Sequence, residues 1–369
     1  MSAENDEHRP NPEMACSRDQ ESVAPPTTND DAKPPGIESC DMLRDPAKSR
    51  ADARFKILHI IVSISISLVL LFFVIRGIRL DQVITLTKNS NLSLVALAVM
   101  LYYASYAVRA RRWTTMLAGA DTSVPFSLSL STILASFAVN CIVPAKAGDI
   151  YRCLSVSRKK GSNFFLLLGS VISERVLDLV CVLTFLFAGA CVLQFRSVGF
   201  ASESATIYGK LGLTAGYAIA LLAIIVLILQ KIDMVLRVLI PPRFRISIGE
   251  IKRGFRSSFA KRIPVISLSA AVWILELGSF YVALEAVGLR IQPSQAVFTS
   301  VASTLSNAVP FTPGGLGIYE LAARELLCAF GAELPAALAA ILLIRLINYW
   351  SLILVGAIAA LVLHKAIRA

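Results

Sequence analysis

SFAVNCIVPAKAGDIYR, residues 136–152, and STLSNAVPFTPGGLGIYE, residues 303–320, are two copies of one pattern, polar and helix-breaking where a membrane helix would be apolar. Each runs from a serine to an asparagine (Asn140, Asn307), then a proline, a glycine (Gly148, Gly317) and an Ile-Tyr pair carrying a charge, Tyr151-Arg152 or Tyr319-Glu320. One helix later each copy adds Arg-x-x-Asp or Arg-x-x-Asn: Arg175 with Asp178, Arg345 with Asn348. Paired interruptions in two halves of a membrane protein mark a substrate site near the bilayer midplane.

The rest of the chain supplies that membrane setting. It is 56% hydrophobic with a mean hydropathy of +0.67 and only 17% charged residues, which excludes an ordinary soluble domain. Apolar runs long enough to span fall at 57–75, 92–108, 164–193, 209–229, 264–286 and 336–363. Two more, 126–143 and 296–311, end at the polar passages. The expected fold is an all-α integral membrane protein with six to eight transmembrane helices and two re-entrant broken-helix hairpins forming an inverted repeat. Residues 1–55, with 7 basic and 12 acidic side chains and little apolar periodicity, read as a disordered acidic tail ahead of a membrane domain at 56–369. The first apolar run follows that long tail, so it reads as a span and not as a cleavable signal.

Charge orients the spans. With each polar passage dipping in and returning, and both termini cytoplasmic, the inner connections hold 18 basic residues and the outer ones 5. Three crossings then separate the two copies, and an odd number turns the second upside down. The hairpins are therefore expected to enter from opposite faces and to face each other, since irregular backbone survives at membrane depth only where protein or a wet cavity shields it. Outside the tail, 29 of the 36 basic residues face 13 of the 25 acidic ones, a balance suited to an anionic lipid surface. Basic residues at segment ends, with no continuous patch interleaved with aromatics, argue against nucleic acid. Arg109, Arg111, Arg112 and Trp113 are expected to anchor the second helix at the interface, and 230–262 to form an amphipathic surface helix on anionic lipid.

The polar residues at depth are the site candidates. Pro310, Pro313, Gly314, Gly315 and Gly317 break any continuous helix, and the amides and carbonyls so freed suit an anionic group at a helix start. A sharp structural turn is the alternative. Asn140, Asn307, Lys146, Asp149, Thr312, Gly314 and Gly315 lie at or beside the breaks. Glu174, Arg175 and Asp178 share roughly one helix face, with Arg345 and Asn348 at the equivalent places. Arg152, Arg175 and Arg345 are candidates for phosphate contact, and Glu174, Asp178 and Glu320 for proton or cation coupling. The competing reading is a set of internal ion pairs, Arg345 with Glu320 and Arg175 with Asp178, that only fix the bundle. Glu276 and Glu285, on one helix, are candidates to line the same cavity. Seven cysteines without a CxxC pair and three scattered histidines predict no metal, and no cofactor is expected. The chain carries no G-x-x-x-x-G-K-[ST], G-x-S-x-G or H-E-x-x-H, so neither ATP binding through a P-loop nor hydrolysis is expected.

Taken together, RARRW, NCIVPAKAGDIYR, ERVLDL, VPFTPGGLGIYE and IRLINYW resemble the flippase-like membrane domain of lysylphosphatidylglycerol synthases, over about residues 57–363. The resemblance implies movement of a lipid or lipid-linked headgroup between leaflets. The soluble aminoacyl-transferase domain of the full synthases has no counterpart in this sequence, so aminoacyl transfer is not implied.

These readings converge on a translocase of an anionic or zwitterionic lipid, multi-pass in the cell inner membrane, with a membrane phospholipid or lipid-linked molecule as substrate and a separately encoded lipid-modifying enzyme as a possible partner. The alternatives are a membrane-embedded transferase, with Glu174, Asp178 or Glu320 as base on a lipid-linked donor, and a scaffold subunit of an envelope or hopanoid lipid pathway.

Overall fold

The computed structural model describes residues 80–120, 122–143, 146–197, 216, 220, 242–306 and 313–368. The acidic tail, the expected spans at 57–75 and 209–229, and Asn307, Pro310 and Thr312 lie outside them. Every regular element among the described residues is helical. In chain order these are α1 Leu80–Lys88, α2 Leu92–Ala118, α3 Phe126–Ile142, α4 Ala147–Lys160, α5 Phe164–Ser197, α6 Pro242–Ser257, α7 Arg262–Ala286, α8 Pro293–Ser306, α9 Ile318–Ala329, α10 Leu334–Arg345 and α11 Ser351–Arg368. A π turn, Leu346–Trp350, joins α10 to α11.

Four apolar segments are long enough to cross a bilayer: Leu92–Ala118, Phe164–Gln194, Arg262–Ala286 and Leu334–Leu363. Their polarity is inverted relative to a soluble bundle. Leu354, Ile358 and Leu361 on α11 and Ile263 and Ile266 on α7 are exposed, whereas Arg112, Arg152 and Glu174 are fully buried. That distribution suits a bundle solvated by lipid, where apolar side chains face out at no cost and charges gather inside.

The two repeat passages form short helical pairs. α3 packs on α4 and α8 on α9. The paired helices have 17, 14, 14 and 12 residues, or roughly 18–26 Å at 1.5 Å per residue, short of a ~30 Å hydrocarbon core. The breaks follow from sequence. Val143 is extended (φ −103°, ψ 126°), the conformation that a following proline favours, and α3 ends at Ile142. α4 restarts at Ala147 and ends on Gly161 at φ 64°, with Arg158, Lys159 and Lys160 on the negative end of its dipole. In the second copy Gly314, Gly315 and Gly317 all take positive φ.

Their relative orientation can be read from α5 and from the α10–α11 helix. Tyr349 Oη donates to the Cys141 carbonyl at 2.9 Å, and seven residues later Gly356 meets the Leu134 carbonyl and Ala138. α11 thus runs antiparallel along α3 of the first hairpin, while α10, the preceding half of the same span, packs on α9 of the second. α5 does the reverse. Its first half meets α4, Arg175 donating to Asp149, and its second half passes α8, Gly189 lying against Phe298. One hairpin flanks each half of each span, and the tips meet at mid-height, with Gly314 against Cys141 and Tyr349. Two hairpins arranged this way enter from opposite faces, which is the inverted repeat.

α6 is helical as expected but not free on the surface. It crosses α5 closely enough that a Cβ at Gly254 would stand 2.0 Å from the Leu166 carbonyl oxygen, and Ser173 Oγ on α5 donates to the Phe255 carbonyl.

Candidate functional site

Arg175 and Arg345 each stand eleven residues after the first residue of their helix, Phe164 or Leu334. That is about 17 Å of rise, near the middle of the bilayer core. Each clamps an acid at the start of its own hairpin's return helix. Arg175 forks onto Asp149 through Nε (3.0 Å) and Nη2 (2.9 Å). Arg345 Nε donates to Glu320 Oε1 at 2.5 Å, while Nη2 and Nη1 reach the Gly315 and Gly314 carbonyls at 3.2 and 3.4 Å.

The tips are held from within. Gly148 N–H donates to Asn140 Oδ1 at 2.8 Å, so α3 and α4 close on each other across the break. A Cβ at Gly148 would come within 1.9 Å of the Ser136 carbonyl oxygen, which is why that position takes glycine. In the second copy Glu320 accepts from the Gly317 N–H at 2.7 Å, tying the helix start to the arginine clamp. Lys146 is the only non-glycine among the described residues with positive φ, 54°. Backbone held in that region costs free energy and concentrates where geometry serves function.

Between the tips lies a cavity of about 540 Å³. It brings together nine of the sequence candidates: Asn140, Lys146, Arg175, Asp178, Glu276, Gly314, Gly315, Arg345 and Asn348. Asp149 sits just behind, through Arg175. Arg152 and Glu174 do not reach the cavity; they are fully buried and paired at 2.8 Å beneath its floor. Glu320 is buried behind Arg345. Asn307 and Thr312 lie outside the described residues.

Sequence reasoning misplaced one set of residues and missed another. Arg109, Arg112 and Trp113 are not interfacial anchors but interior groups. Arg112 bridges Glu174 (3.0 Å) and Asp178 (2.8 Å), and Arg109 bridges Glu276 (2.7 Å) and Asp178 (3.2 Å). Trp113 lies under the Arg152 guanidinium at 4.5 Å and donates Nε1–H to Ser170. Only Arg111 of the basic cluster is exposed. The physical reason is pairing: two buried carboxylates on α5, Glu174 and Asp178, and the half-buried Glu276 on α7 need cations, and α2 packs closely on α7. Glu276 lines the cavity as expected; Glu285 does not.

Phe137 was missed outright. Its ring lies between two guanidiniums, 5.4 Å from Arg109 and 5.2 Å from Arg175. Arg345 similarly stands over Tyr319 at 4.2 Å and near Tyr349 at 5.5 Å. The position three before Asn140, on the same face of α3, was the available signal for Phe137.

The set is rich in guanidinium donors, the groups that recognise oxyanions. Four arginines (109, 112, 152, 175) meet four carboxylates (149, 174, 178, 276), and Arg345 meets Glu320, so these interior pairs are neutral overall. Arginines stacked on rings, with some donors on carboxylates, are preorganised for a second planar or tetrahedral oxyanion.

Fold and site together define a polytopic, all-helical membrane protein with opposed re-entrant hairpins around a polar interior. The chain belongs to the lysylphosphatidylglycerol synthase transmembrane-region family, whose model matches residues 60–356. It is 31% identical over 232 residues to the UPF0104 membrane protein MJ1078 of Methanocaldococcus jannaschii, covering 62% of this chain and 95% of that protein. To the UPF0104 membrane protein PH1989 of Pyrococcus horikoshii it is 26% identical over 339 residues, 83% of this chain and 96% of the relative. It also matches the glycosyltransferase AglD of Haloferax volcanii at 24% identity over 292 residues, 70% of this chain but 46% of that protein. Family and relatives support a multi-pass membrane location and a role connected with membrane lipid.

Proposed function

We propose that this protein moves an anionic or zwitterionic lipid headgroup between leaflets through the cavity at the hairpin tips, the acyl chains remaining in the bilayer. One observation carries the reading. A cavity of about 540 Å³, its largely apolar wall carrying Arg109, Arg175, Arg345 and Lys146, lies where the two opposed hairpins meet. A bundle held only by internal ion pairs has no use for such a volume. Because each arginine is already paired, headgroup entry is partner exchange: a phosphate takes donors now spent on Asp149, Asp178 or Glu320. The carboxylate and the phosphate must share the guanidinium during exchange, since a buried charge left alone is the costly condition for ion pairs at depth. Opposed hairpins suit alternate exposure, since opening one mouth while the other stays closed presents the same arginines to each side in turn. The preponderance of basic side chains at one end of the bundle supports an inner-membrane protein with that end in the cytoplasm.

Purified protein in liposomes bearing fluorescent phospholipids tests this. Leaflet exchange without chemical change is expected, abolished by Arg175→Lys together with Arg345→Lys. Native mass spectrometry of the wild type is expected to show a retained phosphate-bearing lipid that the double variant loses. Formation of a modified lipid would establish a transferase instead, the reading the glycosyltransferase relative's name favours. Neither exchange nor product, with the fold intact, would leave the scaffold role.

A further inference from the structure

Beside the main cavity lies a second, smaller chamber of about 60 Å³, lined by residues of α2, α7, α8, α9 and the α10–π segment. We propose that it binds a monovalent alkali-metal cation of about sodium's size, held by Glu276, Asn348, Tyr102, Ser300, Thr304 and Tyr319. The lining is rich in oxygen, the donor set of hard cations.

Two of those oxygens lack partners. Arg109 Nε and Nη2 and Ser105 Oγ all engage Oε1 of Glu276, and among the described residues no hydrogen bond reaches Oε2. Asn348 Oδ1 is buried and has no hydrogen bond. Glu276 is half-buried, so its Oε2 is open to a ligand or water, whereas the buried, unpaired Asn348 Oδ1 calls for an explanation, and a bound cation supplies one. The π turn explains how the amide is held. Asn348 lies within it, and the Asn348 carbonyl takes the Tyr102 hydroxyl at 2.8 Å, fixing the residue against α2. π turns recur at functional sites, and coupling-ion sites in inverted-repeat transporters lie at midplane among broken helices. The charge is limited to one because, among the described residues, Glu276 is the only carboxylate on the chamber and already shares its charge with Arg109.

The site has a consequence for the main cavity, a step that rests on the headgroup reading above. Glu276 faces both cavities, and Arg109 bridges it to Asp178. A cation at Glu276 weakens that carboxylate's hold on Arg109 and frees guanidinium donors for a phosphate next door.

Cation binding is testable without any lipid transport. Melting of the detergent-purified protein is followed in sodium, potassium and choline chloride at equal ionic strength. We expect a saturable rise with sodium that choline does not give. Asn348→Ala and Thr304→Val each shift its half-saturation upward by about tenfold or more, while melting in choline stays near wild type. Thr304→Val is near-isosteric, so it decides the matter if Asn348→Ala does not fold. Melting indifferent to cation identity, or a sodium response unchanged in the variants that fold, overturns the proposal. Its failure would leave leaflet exchange untouched, and failure of exchange would leave a sodium-dependent melting curve standing.

Discussion

Arg152 and Arg345 show how two arginines in one interior differ in kind. Arg152 is fully buried with Glu174, its guanidinium stacked on Trp113, and neither residue of the pair touches the cavity. Removing either Arg112 or Arg152 takes a cation from Glu174, a loss of about 3–5 kcal/mol for a buried pair. Arg112→Ala and Arg152→Ala are therefore expected to lower both the yield of monodisperse protein and its melting temperature. Arg345→Lys keeps the charge opposite Glu320 but gives up the planar fork that reaches Gly314 and Gly315. Its melting is expected to stay near wild type while leaflet exchange falls by about tenfold or more. Equal destabilisation in all three variants would make Arg345 a structural residue only. At this scale the repeat was informative. Asn140, Gly148, Arg175, Arg345 and Asn348 could be picked from the pattern because each does a job that both halves need. Arg109 could not, because it sits on α2 with no repeated neighbour to mark it, and Phe137 was passed over because its counterpart in the second copy is Thr304, so the repeat itself does not single it out.

Among the elements, the π turn at Leu346–Trp350 interrupts an otherwise continuous span immediately after Arg345. It sets the rotation of α11 relative to α10, and with it whether Tyr349 meets Cys141 and Asn348 meets the small chamber. Deleting Leu346 removes the extra residue and turns α11 by about 100°. The shortened protein is expected to insert in the membrane yet lose leaflet exchange, read by protease protection and liposome assay on the same preparation. Retained exchange would mean that the contacts made by the turn are dispensable. The sequence here, IRLINYWSLILVG, reads as unbroken apolar helix. Nothing in it announces a π turn, because the extra residue is stabilised by distant partners: the Tyr102 hydroxyl on the Asn348 carbonyl and the Cys141 carbonyl on Tyr349.

For the whole molecule, the decisive property is that the hairpins enter from opposite ends. The last turn of α4 and the start of α10 should then lie on opposite sides of the membrane. Lys160 and Glu333 are both exposed there, and single cysteines at the two positions report it. In cells, Lys160→Cys is expected to react with an impermeant maleimide only after the cytoplasmic side is opened, and Glu333→Cys without opening. Labelling of both from one side would end the inverted arrangement and the shared cavity with it. The basic residues sort as that topology requires. Arg158, Lys159, Lys160, Lys252, Arg253, Arg256, Lys261 and Arg262 lie at one end of the bundle, and Lys88, Arg290 and Arg324 at the other.

Sequence alone determined that the chain lives in a membrane, where its helices break and that the breaks form a pair. These depend on local properties, namely hydropathy over a span, the conformational limits of proline and glycine, and the recurrence of a pattern along the chain. Only tertiary structure decided which charges are spent on one another and which face a cavity. An arginine near a helix end reads the same whether it anchors to lipid headgroups or turns inward to a carboxylate dozens of residues away. Burial and pairing are properties of neighbours in space, and the chain order does not carry them.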